Sequence, residues 1–308
     1  MHKIQNLLQW LQRGGMLPET PRTGCGLSRC PRSTSPRPWW RRSDGAVLQD
    51  VYYCGRSCLE TALTAQLARL HAIASVRPPP NRIPLGLLMV ARGWLTHEQV
   101  ARALAAQEAA HEGQIGDWFE KLGFATEREV TSALALQWGC PVATSLNSPF
   151  SSSFDPIPLG ILEAFQMLPI HFNSATNTIY IAFGQRVDHA ALYAIEKFLG
   201  CRTLPCVAGR KYVTEELIRM RQQTRPSEIE FAPMSDFAET GRVSVSYMVR
   251  LGADQARLGR VGDIIWLRLR TPKTHTDVLF QLKSAVASSK PALAMRLPNA
   301  WVQRSASM

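Results

Sequence analysis

The sequence predicts an α+β fold: a tandem helical-hairpin repeat packed with a small α/β unit, plus a Cys-rich N-terminal segment and a small C-terminal α+β domain. Three observations predict it. Residues 83–107 and 114–137 repeat one pattern at an offset of thirty. Strand-like apolar runs alternate with amphipathic stretches over 156–222 and again over 232–285. Two cysteine pairs, Cys25/Cys30 and Cys54/Cys58, stand among Arg, Pro and Ser in residues 1–81, with few apolar residues to build a core.

Taken in order, the chain opens with Ile4, Leu7, Leu8 and Leu11 at helical spacing, which suits a short amphipathic helix. The start lacks a continuous apolar stretch and a small-residue cleavage site, so no signal peptide is read there. Four thiolates at Cys25, Cys30, Cys54 and Cys58 could hold Zn²⁺ tetrahedrally and staple a segment short of apolar residues. The stretch around Cys54 and Cys58, with aromatics before the first thiol and a helix running from the second, resembles the second half of a treble-clef or MYM-type finger. Unrelated cysteines in a reducing compartment are the competing reading. Trp39, Trp40, Arg41 and Arg42 either touch nucleic acid or anchor a loop. Pro78, Pro79 and Pro80 read as a linker.

The repeat is the most specific signal. Leu85 aligns with Ile115, Gly86 with Gly116, Gly93 with Gly123, Thr96 with Thr126, Val100 with Val130 and Gln107 with Gln137. Two unrelated helical segments share an apolar period, but not glycines, caps and a glutamine in register. In each copy a two-turn helix is expected to end at Gly93 or Gly123, where a left-handed residue is needed. Thr96 with Gln99, and Thr126 with Glu129, have capping-box spacing for the start of a second helix. One hairpin is too small to bury its apolar face, so two copies must pack together. Gly86 and Gly116 weaken their helices; they permit close approach either of a ligand or of a neighbouring helix.

Over 156–222 the expected order is helix Leu159–Gln166, strands Met167–Phe172 and Thr178–Phe183, helix Asp188–Leu199, strand Thr203–Val207 and helix Arg210–Met220. Over 232–285 a helix near Met234–Gly252 precedes strands near Gln255–Gly259, Asp263–Leu269 and Thr276–Leu282. There Ile264, Trp266 and Arg268 alternate with Ile265, Leu267 and Leu269, which suits a half-buried strand. Residues 286–308 are expected to be disordered.

The formal charge of +11 is uneven. Residues 1–81 carry 11 Lys/Arg against 4 Asp/Glu, whereas residues 82–222 carry 12 against 13. Basic ends suit nucleic acid or an anionic membrane, or are Arg-rich flanks. No apolar run reaches the length of about 18–20 residues that spans a bilayer. Seven cysteines without a signal peptide point to the cytoplasm. No Gly-x-x-x-x-Gly-Lys-Ser/Thr phosphate loop and no nucleophile-base arrangement occurs, so no enzymatic activity is expected. Cys140, Cys201 and Cys206 read as core thiols, His97 and His111 lack ligand partners, and Glu108 with Glu112 form a solvated face.

The pattern Leu-Gly, apolar residues, Gly, Ser/Thr, Leu/Val, Ala-Leu and a closing Gln, twice in tandem, resembles the N-terminal (MshEN-type) domain of type II secretion and type IV pilus assembly ATPases. The segment from Pro156 to Met220 resembles the second part of that domain, and 232–285 is similar to a worn version of the small domain that precedes the motor. The resemblance implies docking on a secretion or pilus machinery protein, in the cytoplasm or peripherally at the inner membrane. It also implies a degenerate cyclic di-GMP site built from Leu85, Gly86, Leu88, Gly93, Leu95, Ile115, Gly116 and Gly123. In the family an arginine opens each repeat; here Pro84 and Gln114 stand there. Arg82, two residues upstream, is a candidate to reach round. The functional alternatives are therefore a docking or regulatory protein, a cyclic di-GMP receptor, and a zinc-finger regulator associated with nucleic acid.

Overall fold

A computed structural model of the chain describes residues 24–30, 45–72, 82–143, 157–223, 228–231 and 236–282. The stretch around Ile4–Leu11, the Trp39–Arg42 motif, the Pro78–Pro80 linker and residues 286–308 lie outside the described residues. The elements run β1 (Ala46–Leu48), β2 (Val51–Tyr53), α1 (Arg56–Ala72), α2 (Leu85–Ala91), α3 (His97–Ala110), α4 (Ile115–Lys121), α5 (Glu127–Trp138), α6 (Leu159–Phe165), β3 (Met167–Asn173), β4 (Thr178–Phe183), α7 (His189–Leu199), β5 (Arg202–Val207), α8 (Arg210–Gln223), β6 (Glu228–Phe231), α9 (Phe237–Leu251), β7 (Gln255–Val261), β8 (Ile264–Arg270) and β9 (His275–Gln281). The fold is α+β, as the sequence predicts.

The repeat forms its helices for the expected reasons. Thr96 and Thr126 each close a capping box, with Gln99 and Glu129. Gly93 and Gly123 take φ of 72° and 67°, with nothing near a would-be Cβ, so these two turns need glycine for conformation alone. The two copies share one core of Leu85, Met89, Leu95, Ala103, Phe119, Val130 and Ala133. Their packing differs from a pair of simple hairpins. The first helix of one copy rests mainly on the second helix of the other, α2 on α5 and α3 on α4. Two short helices joined by a tight glycine turn diverge, and each finds its largest apolar surface in the other copy.

Residues 157–223 add a three-stranded sheet ordered β3-β4-β5, with β3/β4 antiparallel and β4/β5 parallel. Helix α7 is started by Asp188, whose carboxylate accepts from the N–H groups of Ala190 and Ala191 at 3.1 and 3.0 Å.

The two end segments, which the sequence separates into 1–81 and 232–285, build one unit. Their strands form a six-stranded sheet ordered β2-β1-β7-β8-β9-β6, in which β1 runs parallel to β7. Helices α1 and α9 pack together on this sheet, over a core holding Leu59, Leu63, Leu67, Val245, Met248, Leu258 and Leu267. The middle of the chain is thus an insertion between the two parts of a split domain. The edge strand β6 is an element that pattern reading does not find; it pairs in parallel with β9.

The opposite face of the six-stranded sheet carries Val261, Ile264, Trp266 and Leu279 and packs on the three-stranded unit. Phe198 of α7 stacks on Trp266 at 3.6 Å between centroids. Strand β8 is therefore covered on both sides, and only Arg270 of its seven residues is exposed. This corrects the half-buried expectation: the Ile264/Trp266/Arg268 face meets the inserted unit, and the Ile265/Leu267/Leu269 face meets α1 and α9. Arg268 is tolerated there because Asp277 holds it through two hydrogen bonds of 2.8 and 2.9 Å, while the Trp266 indole donates to the same carboxylate at 2.7 Å.

Candidate functional site

A cavity of about 560 Å³ lies where the repeat body meets the three-stranded unit. Its size falls in the range of about 300–1,000 Å³ usual for small-molecule sites. The starts of the two copies form one wall, through Pro84, Leu85, Gln114, Ile115 and Gly116. Helix α5 supplies Val130, Leu134, Gln137 and Trp138, the loop before α7 supplies Gln185 and Arg186, and the start of α8 supplies Arg210.

Of the eight family-type positions, Leu85, Ile115 and Gly116 line this cavity. Gly86 is packed away: a Cβ there would sit 2.9 Å from Val100 Cγ1 and 3.5 Å from the Phe119 ring. Gly116 makes the matching approach to Val130 Cγ1, also at 2.9 Å. Helix packing accounts for both glycines. Leu88 is half-buried, Leu95 belongs to the shared core, and Gly93 and Gly123 sit at the turns.

Arg82 does reach round. Its guanidinium lies 3.7 Å over the Trp138 ring and donates to the Gln137 carbonyl at 2.9 Å. Several other polar groups on the wall are engaged within the protein. Arg210 pairs with Asp117, and the Glu127 carboxylate accepts from the Lys211 N–H at 3.0 Å, at the start of α8. Gln114 caps α4 together with Asp117, and its amide meets that of Gln185 at 2.7 Å. Glu120 is half-buried on the same wall. Burial first, and then the neighbouring Glu127 carboxylate, hold the Glu120 carboxyl above its ordinary range. Gln185, Arg186 and Arg210 carry no sequence signal of their own, because only the tertiary fold brings these segments to the repeat.

The second candidate site lies in the N-terminal part of the split domain. Cys25, Cys30, Cys54 and Cys58 converge, with all four sulfurs within 4.8 Å of one another. Cys30 and Cys54 are 3.4 Å apart, Cys54 and Cys58 3.8 Å, and Cys30 and Cys58 3.7 Å. Three of the four are buried and Cys25 is half-buried. This group could hold a metal ion. Burial, followed by the adjacent thiols, pushes the Cys58 thiol up to about 12; a bound dication would reverse that preference. Cys201 and Cys206 are the core thiols expected, with burial pushing them up to about 11 and about 12. Cys140 is half-buried. No described helix is long and apolar enough to cross a membrane.

No protein-family profile and no curated protein matches the chain. Solved structures do. One of MshE with cyclic di-GMP is 26% identical, covering 45% of this chain and 99% of that one at a TM-score of 0.39. The N-terminal domain of XpsE is 19% identical, covering 44% and 92% at a TM-score of 0.35. The chain is similar, over less than half its length, to MshE and to the N-terminal domain of XpsE.

Proposed function

We propose that this chain is a non-catalytic docking or regulatory protein of the secretion-ATPase N-terminal type, which binds a subunit of a type II secretion or type IV pilus machine at the cytoplasmic side. The observation that carries this reading is the state of the cavity where the repeat body meets the three-stranded unit. Pro84 and Gln114 stand where the family has arginines, and Arg210, Asp117 and Glu127 are engaged with partners inside the protein. Glu120 adds a carboxyl to the wall, which opposes a phosphodiester. A folded body without a competent nucleotide pocket is suited to presenting a surface. Co-purification of the full chain with each cytoplasmic subunit of the host's secretion and pilus machines tests it. Specific, saturable retention of one subunit is expected; retention of none overturns the reading.

One observation favours cyclic di-GMP as a second reading. Arg82 brings a guanidinium and a stacked indole, Trp138, to the cavity from outside the repeat, and a guanidinium offers both a flat face and a fork of donors. If the cavity takes this nucleotide, Arg82→Ala abolishes binding while the fold is retained.

For the four converging thiols we assign Zn²⁺ as the ion, since an all-sulfur tetrahedral set is a usual structural zinc site.

A further inference from the structure

We infer that the tetrathiolate centre is a clamp that fastens residues 24–30 to the corner where β2 leads into α1, and so orders the N-terminal part of the split domain; the inference rests on the Zn²⁺ assignment above. A Zn–S bond of about 2.3 Å sets the edges of a regular sulfur tetrahedron at about 3.8 Å. The three edges among Cys30, Cys54 and Cys58, at 3.4, 3.8 and 3.7 Å, lie close to it.

The surroundings say what such a centre would do. Residues 24–30 contain no helix and no strand, yet Cys30 is only 5% exposed. Among the described residues, the Gly26 N–H ties them to the body by donating to the Tyr52 carbonyl at 2.8 Å, and Leu27 packs on the core beside it. Neutral thiols are weak hydrogen-bonding groups and give such a segment little hold. Cys54 directly follows β2, and Cys58 lies in the first turn of α1. Strands β1 and β2 have three residues each, and β1 meets β7 through two register pairs, Val47 with Gln255 and Leu48 with Ala256. A ladder that short is marginal by itself. Helix α1 is secured at its far end, where Arg260 of β7 donates to the Leu70 carbonyl at 2.7 Å. The metal secures its near end, where 24–30, β2 and α1 converge. Binding replaces four S–H bonds by four S–Zn bonds and releases four protons to solvent. Cys25 is the most accessible of the four ligands.

Native mass spectrometry of the full chain, followed by hydrogen exchange before and after treatment with a chelator under reducing conditions, tests this. One zinc per chain is expected, and its removal speeds exchange in 24–30 and 45–58 by at least about tenfold while 85–137 is unchanged. Absence of zinc, or iron in its place, removes the assignment and the clamp together. Zinc that is lost without any change in exchange leaves the assignment standing and overturns the clamp. Loss of protection through 85–137 as well overturns it too, because the effect is then global. Cys58→Ser should reproduce the chelated pattern; should that variant fail to fold, Cys25→Ser, at the half-buried ligand, is the second test. None of these outcomes touches the docking reading, which rests on the inserted unit.

Discussion

The side-chain amide of Gln137 donates to the backbone carbonyl of Ile83 at 2.8 Å, across 54 residues of chain. Thirty residues earlier Gln107 donates to the carbonyl of Gly113 at 3.0 Å, and Gly113 is the thirty-residue counterpart of Ile83. Each copy's last helix thus holds the entrance of the other copy. This exchange gives the closing glutamine of the motif a structural role: it locks two interleaved copies into one body. Replacing Gln137 with Ala is expected to cost about 1 kcal/mol of stability, the net worth of one hydrogen bond. Gln107→Ala should cost a similar amount, both read from denaturant midpoints.

The glycines at the helix starts are packing residues. Gly86→Ala places a Cβ 2.9 Å from Val100 Cγ1, and overpacking of this kind costs about 1–3 kcal/mol. Val100→Ala in the same chain should recover part of that loss. A ligand-contact role predicts no such recovery, so a thermal-melt series over the two single variants and the double variant decides between them.

Which parts of this architecture were legible beforehand follows from how local their signals are. The glycine turns, the two capping boxes and the order of elements over 157–223 depend on residues within a few positions of one another, and they are where the sequence places them. The pairing of β1 with β7 joins Val47 to Gln255, and nothing in either tripeptide announces the other. The burial of β8 on both faces has the same origin: its second cover is an insertion that periodicity cannot assign to it. At the cavity, Pro84 and Gln114 were visible as departures, and Arg82 as a candidate. Gln185, Arg186 and Arg210 enter only through the tertiary fold, and the crosswise packing of the copies through geometry that repeat alignment does not carry.

The buried pair in the six-stranded sheet sets a third expectation. Asp277→Ala leaves Arg268, 1% exposed, without its carboxylate. Breaking a buried pair by removing one partner costs about 3–5 kcal/mol. Replacing both with apolar residues of similar volume should cost far less. Arg186→Ala removes an exposed pair with Asp188 and is expected to shift stability by less than about 1 kcal/mol. Denaturant midpoints of the three variants test the order.

A pH dependence follows from Glu228. Its carboxylate accepts from the Leu159 and Gly160 N–H groups, which ties β6 to the start of α6. Burial is the largest influence on it and holds its carboxyl above the ordinary 4.5, although those two hydrogen bonds act the other way. The folded chain therefore keeps this proton to higher pH than the unfolded chain does. Its contribution to stability is full below about 4.5 and is lost as pH rises through the folded value. Glu228→Gln should flatten that part of the stability profile, as measured by thermal melts from acid to neutral pH.

Calorimetric titration of the full chain with cyclic di-GMP bears most directly on the reading of the cavity. The account predicts no heat of binding at about 100 µM nucleotide for the natural sequence, and measurable binding once Pro84→Arg and Gln114→Arg are introduced together. Binding by the unaltered chain with Kd near or below about 1 µM would contradict it.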